Sequence, residues 1–237
     1  NKQVVKMLVP FNFITASVGY AQHQYRDAHQ VLVHVGMDAK QVKPASVTKP
    51  TVFVVVVGET GRGDRFSLNG YGRDTNPLLS KQQGLVSFKN AQSCGTATAY
   101  SVPCMFSQMS RSDYNGNRAS HQEGLLDVLQ RVGLYTSWRE NDGGCKGVCN
   151  RIKHIDVREL AEKSQCGSEG CLDMVLLNGL AQEIQAMPTD GVIVLHTIGS
   201  HGPTYYNRYP AQFKKFTPTC DTNEIQNCSQ QQLINTY

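Results

Sequence analysis

The feature that most constrains this chain is the stretch 52–60, Val-Phe-Val-Val-Val-Val-Gly-Glu-Thr. It is an unbroken apolar run, dominated by β-branched residues, that ends abruptly in a glycine, a carboxylate and a hydroxyl. Branching at Cβ stiffens χ1 and favours a pleated strand over a helix. Because the run has no two-residue alternation, both of its faces are expected to be buried, as in the central strand of a parallel sheet. A carboxylate at the C-terminal tip of such a strand lies where open α/β sheets assemble their sites. Glu59 is therefore the first candidate for chemistry; the alternative is a solvated acid in a tight turn.

A chain of 237 residues is long enough for one large domain, or for a domain with an appendage. Residues 1–50 read as a linker or approach segment and 51–237 as the folded domain. Within the first part, 4–21 is apolar but interrupted by Lys6, Pro10, Asn12 and Gly19, which suits either an interfacial or packed helix or a linker lying on the domain. His23, His29 and His34 are too irregularly spaced for a ligand set and read as surface residues, while 40–50, with Pro44 and Pro50, reads as linker. The net charge of +4 is spread without a basic block, so nucleic acid is not an expected partner. No run reaches the ~20 apolar residues needed to span a membrane. The N-terminus lacks a signal-peptide pattern, so the chain is expected to begin after a segment that is not in it.

The eight cysteines fall in pairs close in sequence: Cys94 with Cys104, Cys145 with Cys149, Cys166 with Cys171, and Cys220 with Cys228. Zinc knuckles need tight Cys-x-x-Cys pairs, and there are none. Local disulfides are expected instead, which implies an oxidising compartment such as the periplasm. Bridges that close such short loops stiffen the surface more than they hold a core together.

Further along, the glycines of 58–64 match neither a dinucleotide fingerprint nor a phosphate-cradling loop. Residues 88–91 read as a short strand. The stretch 93–104, Ser-Cys-Gly-Thr-Ala-Thr-Ala-Tyr-Ser-Val-Pro-Cys, reads as a helix start, where free N–H groups and the helix dipole favour an anion. A threonine there is placed to carry or contact a phosphate; the simpler reading is an N-cap. Helical periodicity covers 123–133, with Gly133 as a stop, and 172–187. Strands are expected at 134–138, followed by a polar loop over 139–146, and at 190–197. His196 lies inside the last strand and reads as a packed core residue; His201 lies past its tip. Helices between strands give right-handed crossovers and parallel pairing, so the tips should gather on one edge. Glu59, Lys146 and His201 are expected to share that edge, with Thr98 above it. Residues 229–237 start a helix, capped by Ser229, that stops at Tyr237 with no C-cap and so is expected to continue in a longer protein.

Several motifs together carry a family resemblance. Gly58-Glu59-Thr60 is followed by Ser-Leu-Asn-Gly-Tyr at 67–71 and Arg-Asp-Thr-Asn-Pro at 73–77. The cysteine-flanked stretch 93–106 comes next, then Ser-His-Gly-Pro at 200–203, Arg208-Tyr209 and Phe-Thr-Pro at 216–218. From around Pro50 to the end, the chain resembles the lipid A phosphoethanolamine transferases, the family that includes the mobile colistin-resistance enzymes. The resemblance implies an alkaline-phosphatase/sulfatase-like α/β/α sandwich with a mostly parallel central sheet, incomplete at its C-terminus. It places the domain, as a monomer, on the periplasmic face of the bacterial inner membrane, tethered by an N-terminal transmembrane domain that this chain does not contain.

The implied chemistry is zinc-dependent ping-pong transfer. Thr98 would attack phosphatidylethanolamine, release diacylglycerol and hold phosphoethanolamine covalently; a lipid A phosphate would then accept it, conferring polymyxin and colistin resistance. Glu59 and Thr98 would be metal ligands. Lys146, Asp142 and His201 would contact the substrate, with His201 also available as acid or base. The family's remaining zinc ligands, an Asp-His pair, lie further downstream. This chain contains no Asp-His dipeptide, so on its own it is expected to be inactive. Asp142, at a position where Asn is common, and the loosening glycines Gly61 and Gly63 bear on substrate preference. The same fold hosts other chemistries. The alternatives are accordingly a sulfatase- or phosphatase-like hydrolase, a transferase acting on another periplasmic glycan, or an inactive fragment.

Overall fold

A computed structural model describes residues 11–237. After helix α1 (Phe11–His29) come strand β1 (Val52–Val57) and helices α2 (Thr98–Met105), α3 (Gly116–Ser120) and α4 (Leu125–Arg131). Strands β2 (Tyr135–Glu140) and β3 (Lys153–Asp156) follow, then a small hairpin of β4 (Cys166–Gly167) and β5 (Gly170–Cys171). Helix α5 (Leu180–Gln185), strand β6 (Gly191–His196) and helix α6 (Gln230–Thr236) complete the order. Four strands pair in parallel in the order β1-β6-β2-β3. Two apolar layers cover the sheet. On one face Val57, Trp138 and Val194 pack with Val102 and Phe106 from the region of α2 and with Leu126 of α4. On the other, Ile193 and Leu195 pack with Val157, Val175, Leu176 and Met187. Alternate residues of β6 thus serve opposite layers, as strand geometry requires.

The apolar run 52–57 is not the central strand. β1 pairs only with β6 among the described residues, and Phe53 and Val56 are 68% and 61% exposed. An unalternating run shows that a strand tolerates burial on both faces, but not on which side its partners lie. The central pair is β6 and β2. β2 also extends beyond the expected 134–138, through Arg139 and Glu140, because both charges are matched inside the protein. The buried Arg139 guanidinium donates to Glu183 at 2.6 Å, to the Leu176 carbonyl at 2.9 Å and to the Asn178 carbonyl. Glu140 accepts the Trp138 indole N–H at 2.8 Å.

Other boundaries differ for local reasons. The helix expected over 172–187 is a 3-10 turn at Asp173–Leu177 and then α5, broken where Gly179 takes φ +72°. Residues 88–91 form a turn rather than a strand. α1 includes the polar 22–29, whereas residues 4–10 of the expected 4–21 segment lie outside the described residues. All four expected cysteine pairs are disulfides.

The approach segment is pinned to the domain at two places. Val33 exchanges backbone hydrogen bonds with His121 and Glu123, at 2.8 and 2.9 Å. The Glu123 carboxylate meets His34 at 2.9 Å, the Val35 N–H at 3.1 Å and Arg131 at 3.1 Å. Farther on, Asp190 receives Gln41, Lys43 and the Thr51 N–H at 2.8, 2.7 and 2.6 Å.

Two stability predictions follow from these pairs. Glu183→Ala leaves the Arg139 charge buried without its carboxylate and is expected to cost about 3–5 kcal/mol in urea unfolding, whereas replacing both residues by apolar ones costs far less. Burial opposes the charge on Glu123, but hydrogen bonds from His34, Val35 and Arg131 outweigh it and lower its pKa from 4.5 to about 2. A carboxylate depressed in the folded state adds stability that is full above its unfolded pKa and lost as pH falls through the folded one. Wild type should therefore lose stability relative to Glu123→Gln between pH 4.5 and about 2, measured by denaturant titration across that window.

Candidate metal centre

The parallel register sets Val57, His196 and Glu140, the last residues of β1, β6 and β2, level with one another. The loops that leave these strands build the site. Two residues past β1, Glu59 is fixed through its backbone: its carbonyl accepts the Ser200 N–H at 3.2 Å. A Cβ on Gly199 would stand 2.4 Å from that carbonyl oxygen, and Gly199 itself has φ +50°, so only glycine fits this crossing. The Glu59 carboxylate accepts the Thr60 hydroxyl at 2.6 Å on one oxygen and the Thr98 hydroxyl at 2.9 Å on the other. Thr98 is the first residue of α2. Ala97 holds the N-cap position without a side-chain cap, so the Thr98 hydroxyl serves Glu59 rather than the helix end. The Cys94–Cys104 bridge ties the loop before α2 to its last turn.

His196 is fully buried at the tip of β6. Its Nδ1 lies 2.9 and 3.1 Å from the two oxygens of Glu140. Burial opposes the charge on Glu140, but hydrogen bonds from His196, the Trp138 indole and the Asp142 N–H hold its carboxyl below the usual range. Asp142 behaves in the opposite way. Burial pushes its carboxyl up and the charges of Glu59 and Glu140 add to the effect, against His196 and Lys146. Glu59, Asp142 and His196 each offer a ligand atom, and these atoms lie within 4.8 Å of one another.

Of the site residues named from the sequence, the fold brings together Glu59, Thr98 and Asp142. Lys146 has φ +51°, donates to the Gly143 carbonyl at 3.1 Å and lies within electrostatic range of Asp142. His201 is exposed, and its Nδ1 lies 2.9 Å from the carbonyl of Gly202. His196 is indeed packed in the core, but it also joins the polar cluster, and Glu140 is the residue sequence reasoning missed. The only available signal was a carboxylate following Trp138 and Arg139 in a strand that had been expected to stop earlier. Asp173 was missed as well. It accepts the N–H groups of Ile198 and Gly199 at 2.8 and 2.9 Å and Asn141 Nδ2 at 2.9 Å, tying the loop after β6 to the tip of β2. The edge opens on a cavity of about 520 Å³ lined by Glu59, Arg65, Phe66, Tyr71 and Phe213 among others.

An acid and a hydroxyl thus meet at the C-terminal edge of a parallel sheet covered on both faces. The sulfatase family model matches residues 51–237, and the chain belongs to that family. Within it, the similarity falls on the phosphoethanolamine transferases. The chain is 57% identical over 239 residues to phosphoethanolamine transferase EptA of Salmonella typhimurium, covering 100% of this chain and 43% of the relative. It is 42% identical over 212 residues to phosphatidylethanolamine transferase Mcr-2 of Escherichia coli, covering 86% of this chain and 39% of the relative. Among solved structures, it matches the integral membrane lipooligosaccharide phosphoethanolamine transferase EptA of Neisseria meningitidis with a TM-score of 0.87 at 45% identity, covering 100% of this chain and 44% of that one. The chain thus spans less than half the length of these relatives. Among the described residues, no helix is long and apolar enough to cross a membrane.

Asp173→Ala removes the acceptor of two loop N–H groups and is expected to cost about 1–3 kcal/mol for each group left without a partner. Calorimetric melting of the variant against wild type measures the loss, and an unchanged melting temperature would show that the clasp contributes nothing.

Proposed function

We propose that the full-length protein transfers phosphoethanolamine from phosphatidylethanolamine to a lipid A phosphate through a covalent intermediate on Thr98. The observation that carries this reading is the 2.9 Å hydrogen bond between the Thr98 hydroxyl and the Glu59 carboxylate, at the head of a disulfide-clasped helix. A threonine hydroxyl is a weak nucleophile and needs a neighbour to orient and activate it. Glu59 is fixed through both its backbone and its side chain, so it presents Thr98 in one position. The first turn of α2 adds N–H groups and the positive end of a helix dipole, which suit a phosphoryl anion.

The hard oxygen donors of Glu59 and Thr98 fit a zinc ion, and these two residues would hold it from this chain. When bound, zinc stabilises the deprotonated hydroxyl and the charge that develops on phosphoryl oxygens. In the first half-reaction the Thr98 oxygen forms a bond to phosphorus, and the bond from phosphorus to the diacylglycerol oxygen breaks; diacylglycerol leaves with a proton. In the second, a lipid A phosphate oxygen takes the phosphoethanolamine and Thr98 regains its proton. Lys146, Asp142 and His201 are the proposed substrate contacts. Lys146 would offset phosphate charge, and His201, which is exposed, would serve as acid or base.

The names of the relatives, the local disulfides and the family resemblance support a place on the periplasmic face of the inner membrane, and we take the protein to act there as a monomer. There the modification would lower the negative charge that cationic polymyxins bind. On this reading the remaining zinc ligands are an Asp-His pair that these 237 residues do not contain, so the chain on its own does not catalyse transfer.

Intact-mass and peptide mass spectrometry of the full-length protein after exposure to phosphatidylethanolamine should find a phosphoethanolamine adduct on Thr98. Thr98→Ala should abolish the adduct and cut transfer by at least about 1000-fold. An adduct on any other residue would sink the proposal.

A further inference from the structure

His196 Nε2 is a buried polar atom with no hydrogen-bond partner among the described residues. Its surroundings determine what it can accept. Nδ1 faces both oxygens of the Glu140 carboxyl group, which anchors the ring from that side. With Nδ1 engaged by Glu140, Nε2 is the ring nitrogen left to bind a ligand. Nε2 faces Asp142 Oδ2 at 3.8 Å. A buried ring nitrogen and a carboxyl oxygen that face each other without a hydrogen bond are both left unsatisfied, and a cation held between them would satisfy both. The Lys146 ammonium donates to the Gly143 carbonyl and acts on Asp142 by charge alone, so Nε2 keeps no hydrogen-bond partner.

We propose that Glu59, Asp142 and His196 form a second divalent-cation subsite beside the Glu59–Thr98 pair, with Glu59 shared between the two. The ligand atoms lie within 4.8 Å of one another. Around a tetrahedral zinc, with bonds of about 2.0–2.2 Å, ligand atoms stand about 3.4 Å apart, so small side-chain adjustments close the set. One imidazole and two carboxylates make a nitrogen–oxygen donor set of the kind zinc accepts. Three protein ligands leave a fourth position open for a phosphoryl oxygen. The Glu140 carboxylate behind Nδ1 is the partner that metal-bound histidines usually have: it fixes the tautomer and makes Nε2 a better donor to the metal. Two cations bridged by one carboxylate would clamp a phosphoryl group from two sides, with one side belonging to the nucleophile.

The subsite rests on the transferase reading only in taking Glu59 as a metal ligand, and the test separates the two. The full-length protein is stripped with a chelator and titrated with Zn2+, with bound metal counted by elemental mass spectrometry, and then with Co2+, whose visible absorption reports coordination. Wild type should take up a second equivalent of metal beyond the first. In Asp142→Asn the second step should weaken at least tenfold while the first is kept; in Thr98→Ala the first should weaken while the second is kept. If Asp142→Asn does not fold, Asp142→Ser serves in its place. A single equivalent in wild type, or the same two steps in the Asp142 variant, overturns the subsite. If the second step depends on Asp142 but no adduct forms on Thr98, the transferase reading fails and the subsite stands. If the adduct forms but the second step ignores Asp142, the reverse holds.

Discussion

Parallel register is the constraint on which the rest of this structure depends. Val57, His196 and Glu140 are levelled across three strands by backbone hydrogen bonds, so the loops that follow them start from a common line. A slip of one residue in any strand would turn its side chains to the opposite face. His196 and Glu140 would then no longer meet, and Glu59 would leave the line of sight of Thr98. The apolar layers on both faces make such a slip costly, because Val194 and Trp138 belong to one layer and Ile193 and Leu195 to the other. The sheet core and the site geometry are thus specified by the same pairing.

β2 shows how a polar sequence can occupy the middle of such a sheet. Successive residues Arg139 and Glu140 point to opposite faces. Arg139 closes an ion pair with Glu183 under one helical layer, and Glu140 orients His196 under the other. Each charge would be expensive alone; each is matched, and so fixes a unique arrangement. Asp173 extends the pattern outward by holding the loop after β6 against Asn141. Rigidity near Glu59 therefore comes from hydrogen-bonded carboxylates more than from apolar packing, as suits an edge that must stay open to a substrate.

Much of this was legible in the sequence. The β-branched runs at 52–57 and 191–196 named two strands, the helical segments between them implied parallel pairing, and the close cysteine pairs implied local bridges. The order of strands was not legible, because the run ending at Val57 reports tolerance of burial and carries no information about its neighbours. The end of β2 was missed because Arg139 and Glu140 read as loop residues until Glu183 and Trp138 are seen to match them. The break in the segment around α5 had a signal in Gly179 that periodicity overrode. At the site, Glu59 and Thr98 could be named from a strand tip and a helix start, and the fold sets their oxygens 2.9 Å apart. His196 could not be assigned beyond the core: its place between Glu140 and Asp142 depends on the pairing of β2 with β6, and both partners are distant in sequence.

The outer rim of β1 has a consequence for how the protein behaves outside its native setting. Its far edge carries no partner among the described residues, and Phe53 and Val56 stand bare beside it. An unpaired, uncharged rim of that kind is adhesive: outside its native setting it templates pairing with any extended peptide that reaches it.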